Sequence, residues 1–223
     1  MTMRPMVIAI DGPSGVGKGT VSRAIARALG YRHVDTGAMY RAIAWLALHR
    51  ALDLDDEAAV GALAEAAQVD ISDGRVTVDG VDVTQAIRTP DIDRAVTSVA
   101  RLPAVRRILV ARQRAFAEAG GVVMEGRDIG TVVFPDADVK VYLDASPEER
   151  ARRRAADPAH GGRPQVLSDV ATALATRDRI DSTRAASPLT IAPDAEVIDT
   201  TGVPAADVVE RVLESVRRRQ RSS

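Results

Sequence analysis

"MVIAIDGPSGVGKGTVSRAIARAL", residues 6–29, decides the fold. Residues 6–10 form an unbroken apolar run of strand length, and residues 21–29 place apolar side chains at helical spacing. Between them, glycines surround a single lysine, Lys18. Backbone N–H groups that converge at a helix N-terminus make a seat for an anion, because the helix dipole adds positive potential there. The stretch therefore predicts strand, anion-binding loop and helix in succession. It leaves open which anion is held and what is done to it.

Outward from that stretch, apolar runs and helical segments alternate. Strands are expected at residues 6–10, 33–35, 122–125, 139–143 and 196–199, next to helices such as 38–48, 104–119 and 205–218. Such alternation implies a parallel sheet with helices on both faces. "VDISDGRVTVDGVDV", residues 69–83, departs from it with period-two patterning broken at Asp73-Gly74 and Asp79-Gly80. Both dipeptides are hairpin signals, so an antiparallel meander is expected as an insertion. Thr89-Pro90 then reads as a helix cap followed by the first helical residue, Pro103 separates that helix from the next, and Gly120-Gly121 is expected to end it. "RRRAADPAHGGRP", residues 152–164, reads as a mobile basic loop, and the terminal "RRRQRSS" as a frayed tail.

Composition narrows the function classes. The 223 residues are 46% apolar, hold no run long enough to cross a membrane and contain no cysteine, which excludes disulfides and thiolate metal sites. A net charge of −1 disfavours broad nucleic-acid binding. No basic segment, apolar stretch and small-residue cleavage site are combined at the N-terminus, so a cytoplasmic location is expected. Of the 30 basic residues only Lys18 and Lys140 are lysine, and one of them stands in the glycine-rich loop.

The pattern G-x-x-x-x-G-K-[ST] is met by Gly12, Gly17 and Lys18, but Gly19 follows the lysine and Thr20 comes one place late. Where a hydroxyl residue directly follows the lysine it holds Mg²⁺; a glycine argues for a metal held by phosphates and water, with no direct side-chain ligand. "DTGAMYR", residues 35–41, and "EGRDIGT", residues 125–131, each follow a strand, and open α/β sheets bind ligands off the carboxyl ends of their strands. Arg177, Asp181 and Arg184 are spaced by four and three, which on a helix makes one face suited to clamping a sugar phosphate. His33, His49 and His160 read as structural or surface residues.

Taken together, "GPSGVGKGT", "DTGAMYR", "PAVRRILVARQRAF", "EGRDIGTVVFPDA" and "RDRIDSTRAASPL" make the chain resemble bacterial cytidylate kinases, of the nucleoside monophosphate kinase group, over essentially its whole length. The resemblance implies a five-stranded parallel sheet of the P-loop type. Its kinase core would span residues 1–62 and 103–223, with an inserted CMP-binding subdomain at 63–102 and a short lid at 152–164. It implies transfer of the γ-phosphoryl of ATP to CMP or dCMP with Mg²⁺, by a protein that binds neither nucleic acid nor membrane and is a monomer.

By motif, the ATP phosphates would lie on Gly12, Pro13, Ser14, Gly15, Val16, Gly17, Lys18, Gly19 and Thr20. Arg41, Arg127, Arg177 and Arg184 would hold the acceptor phosphate or the group in transfer, with Lys18, Arg127, Arg177 and Arg184 as the catalytic set. Thr36, Tyr40, Thr97, Arg106 and Asp128 would bind the rest of CMP, the last three reading cytosine, and Asp181 the ribose. Arg150, Arg153 and Arg154 are the lid candidates. Thr36 and Thr97 stand where serine is frequent in relatives, and Glu125 where some carry aspartate; no role is assigned to Glu125. Two alternatives stay open. One is a related kinase with UMP, AMP or shikimate as acceptor. The other is a nucleotide-dependent switch, which would need a hydroxyl directly after Lys18.

Overall fold

In the computed structural model, residues 5–72, 74–118, 120–157 and 166–221 are described. The first strand, β1 (Val7–Asp11), is buried at four of its five positions, as a strand covered on both faces must be. The glycine-rich loop follows it and leads into α1 (Lys18–Leu29). Strand β2 (Arg32–Asp35) precedes α2 (Thr36–His49), which is capped by the Asp35 carboxylate accepting from Ala38 N at 3.2 Å. After α3 (Glu57–Ala66) come three short strands, β3 (Val69–Ser72), β4 (Arg75–Val78) and β5 (Val81–Asp82). They pair antiparallel in chain order. Asp79 and Gly80, with φ of 51° and 81°, supply the two left-handed positions of the second hairpin turn. Asp73, in the first turn, lies outside the described residues.

Helix α4 (Pro90–Val99) begins as its sequence predicts, with Thr89 accepting from Ile92 N at 3.4 Å and proline in the first turn. Then follow α5 (Pro103–Ala115), β6 (Val122–Glu125), a π-helical turn at Ile129–Val133, β7 (Val139–Asp144), α6 (Pro147–Ala155), α7 (Leu167–Thr183), β8 (Glu196–Asp199) and α8 (Ala205–Arg221). The large sheet has the order β2-β6-β1-β7-β8, every pair parallel. Strand β1 is therefore central, and the carboxyl ends of β1, β2 and β6 lie side by side.

Four apolar clusters hold the described residues together, and two of them are large. Against one face of the large sheet, Ile8, Ile10 and Leu143 meet Val21 and Ile25 of α1 and Val208, Val212 and Val216 of α8. The last three recur every fourth residue, the stripe a helix presents to a core. Fully burying each such side chain is worth roughly 1.5–3 kcal/mol. A separate core joins α2, α3, α4 and α5 to the small sheet through Ile43, Val60, Val99, Leu109 and Val78, all buried. The expected insert, 63–102, opens inside α3 and closes at Leu102, the residue capping α5.

Three expectations need correction. Helix α5 ends at Ala115, not 119, with Phe116 as its cap. Arg152 to Arg154 lie in α6 rather than in a loop; residues 158–165 of the expected lid, His160 among them, lie outside the described residues. Arg184 is not on a helical face but just past the end of α7, in extended conformation with φ −64° and ψ 142°.

Candidate active site

The phosphate loop is bent more sharply than any side chain permits. At Gly12, φ is 145° and a Cβ would stand 2.1 Å from the Leu143 carbonyl oxygen. Gly17 caps α1 at φ 94°, where only glycine is unstrained. Lys18, the first residue of the helix, turns back into the loop and donates from Nζ to the carbonyls of Gly12 at 2.7 Å and Pro13 at 2.6 Å. Burial, and then the Arg127 cation, push its ammonium down to about 7.

Because β1 and β6 are neighbours, Asp11 at the end of one meets the chain leaving the other. Its two carboxylate oxygens accept from Ile129 N and Gly130 N, each at 2.8 Å, and so pin the π-helical turn of the "EGRDIGT" segment. Burial pushes Asp11 up to about 6. Sequence reading missed this residue; the available signal was a charge closing an otherwise apolar strand.

Asp181 gathers the predicted clamp. Arg127 Nε donates to its Oδ2 at 3.0 Å, and Arg184 Nη1 stands 3.5 Å from Oδ1. Burial opposes its ionisation, but Arg127, Arg177 and Arg184 outweigh that and hold Asp181 below the usual carboxylate range. Arg184 also donates to Ser187 O at 2.6 Å. Arg177 differs from both: no hydrogen bond or ion pair is formed by its guanidinium among the described residues. Burial, then Arg127 and Arg41, push it down to about 9.

Farther along the cleft, Arg106 donates to Asp128 Oδ2 and, at 3.1 Å, to Ala100 O, while its guanidinium lies 5.4 Å from the Tyr40 ring centroid. Arg184 Nη2 is 3.7 Å from the other Asp128 oxygen. Buried Arg106 Nε and Arg184 Nη2 have no hydrogen-bond acceptor among the described residues. Buried donors left in this state mark places for a ligand's acceptors.

These residues line one cleft of about 720 Å³. Ser14, Gly15, Gly17, Gly19, Thr20, Thr36 and Tyr40 line it too. Ten basic side chains, Lys18, Arg23, Arg41, Arg88, Arg106, Arg127, Arg153, Arg154, Arg177 and Arg184, face it, against five acidic ones, Asp35, Glu125, Asp128, Asp157 and Asp181. The excess of five positive charges contrasts with the chain's net −1. Arg41 and Arg154 each pair with Asp93 at 2.5 Å, so one carboxylate joins α2, α4 and α6.

Five predicted residues do not line the cleft: Gly12, Pro13 and Val16 of the loop, Thr97 and Arg150. Thr97 lies on α4 but does not line the cleft, which Val96 and Ala100 reach instead. Arg150 is bound to Asp178 and donates to Ser14 O at 3.4 Å, behind the loop. Arg153 binds Thr200 O at 2.6 Å and Val16 O at 3.2 Å, tying α6 to the phosphate loop. His33, expected to be structural, donates or accepts at 2.8 Å with Glu125, which does line the cleft. Among the described residues no three acidic, histidine or cysteine side chains gather as a metal cage, and no helix is long and apolar enough to cross a membrane.

The cytidylate kinase family model matches residues 8–218. The chain belongs to the cytidylate kinase family. It is 50% identical over 214 residues to the cytidylate kinase of Pelotomaculum thermopropionicum, covering 94% of this chain and 95% of that one. To the cytidylate kinase of Solibacter usitatus it is 48% identical over 216 residues, covering 96% and 93%. A gluconokinase from Sinorhizobium meliloti shares the fold, with a TM-score of 0.53 and 15% identity over 99% of this chain and 96% of that one. As a member of the cytidylate kinase family, the chain is a phosphotransferase.

Proposed function

We propose that this enzyme transfers the γ-phosphoryl group of ATP to CMP or dCMP, giving ADP and CDP or dCDP. The observation carrying the reading is Arg177, a half-buried guanidinium that forms no hydrogen bond or ion pair among the described residues, in a cleft that also holds Lys18 and Arg127. A cation so placed calls for an anion, and two polyanions meeting at their reacting ends supply one.

The backbone of residues 12–20 and Lys18 take the ATP phosphates, Lys18 exchanging the Gly12 and Pro13 carbonyls for phosphate oxygens. Arg41, Arg127, Arg177 and Arg184 take the acceptor phosphate, and Asp181 the ribose. Thr36 and Tyr40 flank the nucleoside. Arg106 donates to N3 and O2 of cytosine, and Asp128 accepts from its exocyclic amine. Thr97 joins them only when the segment 63–102 closes over the nucleotide, since it is one residue away from the lining Val96. Residues 152–164 act as the lid, with Arg154 already facing the cleft.

No general base is required. The second pKa of a phosphate monoester is near ~6, so at neutral pH a phosphate oxygen of CMP is already an ionised nucleophile. It attacks the γ-phosphorus as the bond to the β-phosphate oxygen breaks, and ADP leaves with that electron pair. The protein's part is to align two polyanions, neutralise the spreading charge and exclude water. Mg²⁺ would be held by the phosphates and water rather than by a direct side-chain ligand, and would supply further neutralisation of the charge in transfer. The reading is of a monomeric, cytoplasmic enzyme of pyrimidine nucleotide metabolism.

The test is ADP release in a coupled assay with CMP, dCMP, UMP, AMP and shikimate as acceptors. CMP and dCMP are expected to give the highest kcat/KM; faster turnover of AMP or shikimate overturns the reading.

A further inference from the structure

Asp93 has no part in the scheme above, yet two arginines of the cleft meet on it. It stands in the first turn of α4, inside the segment 63–102. Arg41 Nη1, from α2, is 2.5 Å from Asp93 Oδ1, and Arg154 Nη2, from α6, is 2.5 Å from Oδ2. The side chains of Arg41, Asp93 and Arg154 are only 13%, 24% and 17% exposed. Arg41 Nη1 also donates to Ile87 O at 3.3 Å, so both of these anchors belong to the inserted segment. They use one nitrogen of the guanidinium, which leaves its other edge for an anion in the cleft. Among the described residues, no apolar cluster joins α4 to α6. Ile92, Ala95, Val96 and Val99 of α4 belong to the core around the small sheet, whereas Ala151 and Ala155 of α6 pack with Val170 and Leu174 of α7.

We propose that Asp93 is the positioning residue that holds Arg41 and Arg154 together at the acceptor end of the cleft, so that this end is complete only while α4 and α6 are drawn onto one carboxylate. This rests on Arg41 holding the acceptor phosphate, as proposed above. Two guanidiniums that meet in one place repel each other, and where little water surrounds them the repulsion is weakly screened. A carboxylate between them gives each cation a charge-assisted contact and turns the repulsion into attraction to a shared point. The joint is polar while the packing of each helix elsewhere is apolar, so it can part and re-form without opening either core. The helix dipole alone would also favour an acidic residue in the first turn of α4. Asp91 already serves that end, exposed and paired with Arg94 three residues on. Asp93 differs from it in facing arginines of two other helices.

The chain has no cysteine, so Val81→Cys in β5 and Glu148→Cys in α6, both at exposed positions, place one spin label on each side of the joint. Pulsed electron paramagnetic resonance then reads the distance between them. In the ligand-free protein, Asp93→Asn is expected to lengthen and broaden that distance, Asp93→Glu to restore most of it, and Asp91→Asn to leave it unchanged. This arm needs no nucleotide and decides on the joint whatever the acceptor turns out to be. The kinetic arm depends on CMP: at saturating ATP, Asp93→Asn should raise KM for CMP about tenfold and leave KM for ATP within about twofold, and Asp91→Asn should move neither. An unchanged distance in Asp93→Asn overturns the proposal. So does an equal rise of both KM values, which would mark a carboxylate that merely stabilises α4, and so does a fall in KM for CMP, which would mark one that competes with the acceptor phosphate. Were CMP no acceptor at all, the proposed function would fail while the distance arm still decided on Asp93. Should Asp93→Asn fail to fold, Arg154→Met parts the same joint from the side of α6 and must lengthen the distance in the same way.

Discussion

Lys18 is kept in place against its own solvation. Its folded value of about 7 lies below the ordinary 10.5, so the folded protein binds this proton less tightly than the unfolded chain does. The resulting cost is complete below pH 7 and fades as pH rises towards the unfolded value. Lys18→Met should therefore raise the thermal midpoint at pH 7, by an amount that shrinks towards pH 10, while cutting turnover by orders of magnitude. A variant that is less stable at pH 7, or nearly as active as the parent, contradicts this. Asp128 offers a second test, because its carboxylate sits between Arg106 and Arg184. If it accepts from the exocyclic amine of cytosine, uracil would oppose two acceptors there, at roughly 1–3 kcal/mol. Asp128→Asn should then narrow the ratio of kcat/KM for CMP over UMP, mainly by weakening CMP. An unchanged ratio in an active variant means that Asp128 serves only the arginines. Lys18, Arg177 and Asp181 were picked out in sequence by loop and helix spacings and Arg127 by family resemblance, and all four line the cleft. Asp11 and Glu125 were not picked out in that way, since their partners lie 118 and 92 residues away and only strand order brings them together.

Among the elements, those with chemical punctuation were read well and those ended by tertiary contact were not. The cap at Thr89 is of the first kind. Thr89→Ala should cost about 1 kcal/mol of stability. Because α4 carries Val96 of the cleft and Asp93, which pairs with the cleft's Arg41 and Arg154, KM for CMP should rise more than KM for ATP; equal changes would detach α4 from the acceptor side. The end of α5 is of the second kind. Gly120 and Gly121 do not stop a helix: a Cβ at Gly120 would fall 2.5 Å from Pro5 Cβ, and one at Gly121 3.1 Å from the Tyr31 ring. They are glycines both because distant chain passes over them and because each sits at positive φ, 76° and 59°. Helix α6 was misread for another reason. Its arginines suggested a loop, yet Ser146 caps it by accepting from Glu149 N, and Glu149 binds both Arg152 and Arg153 at 2.7 Å. Those pairs are ordinary helix-stabilising neighbours three and four residues apart.

On the scale of the whole molecule, charge is segregated rather than absent. A chain of net −1 concentrates ten basic and five acidic side chains around one cleft, so the remainder of the surface is net negative. The two scales predict opposite responses to salt. If net charge governed the approach of CMP and ATP, screening a weak repulsion would leave kcat/KM flat or slightly raised. If the cleft governs it, focused positive potential accelerates the encounter and salt removes that gain, because a Debye length of about 10 Å at 0.1 M falls to about 3 Å at 1 M. We expect kcat/KM for CMP to fall several-fold between about 50 and 500 mM KCl, with kcat nearly constant, since pairs formed inside the closed cleft are poorly screened. The thermal midpoint should move little over the same range, as exposed pairs such as Arg75–Asp82 contribute little to stability. The sign of the slope is decisive: a rate constant that rises with salt would mean that the cleft's cations are neutralised by their own carboxylates before any nucleotide arrives.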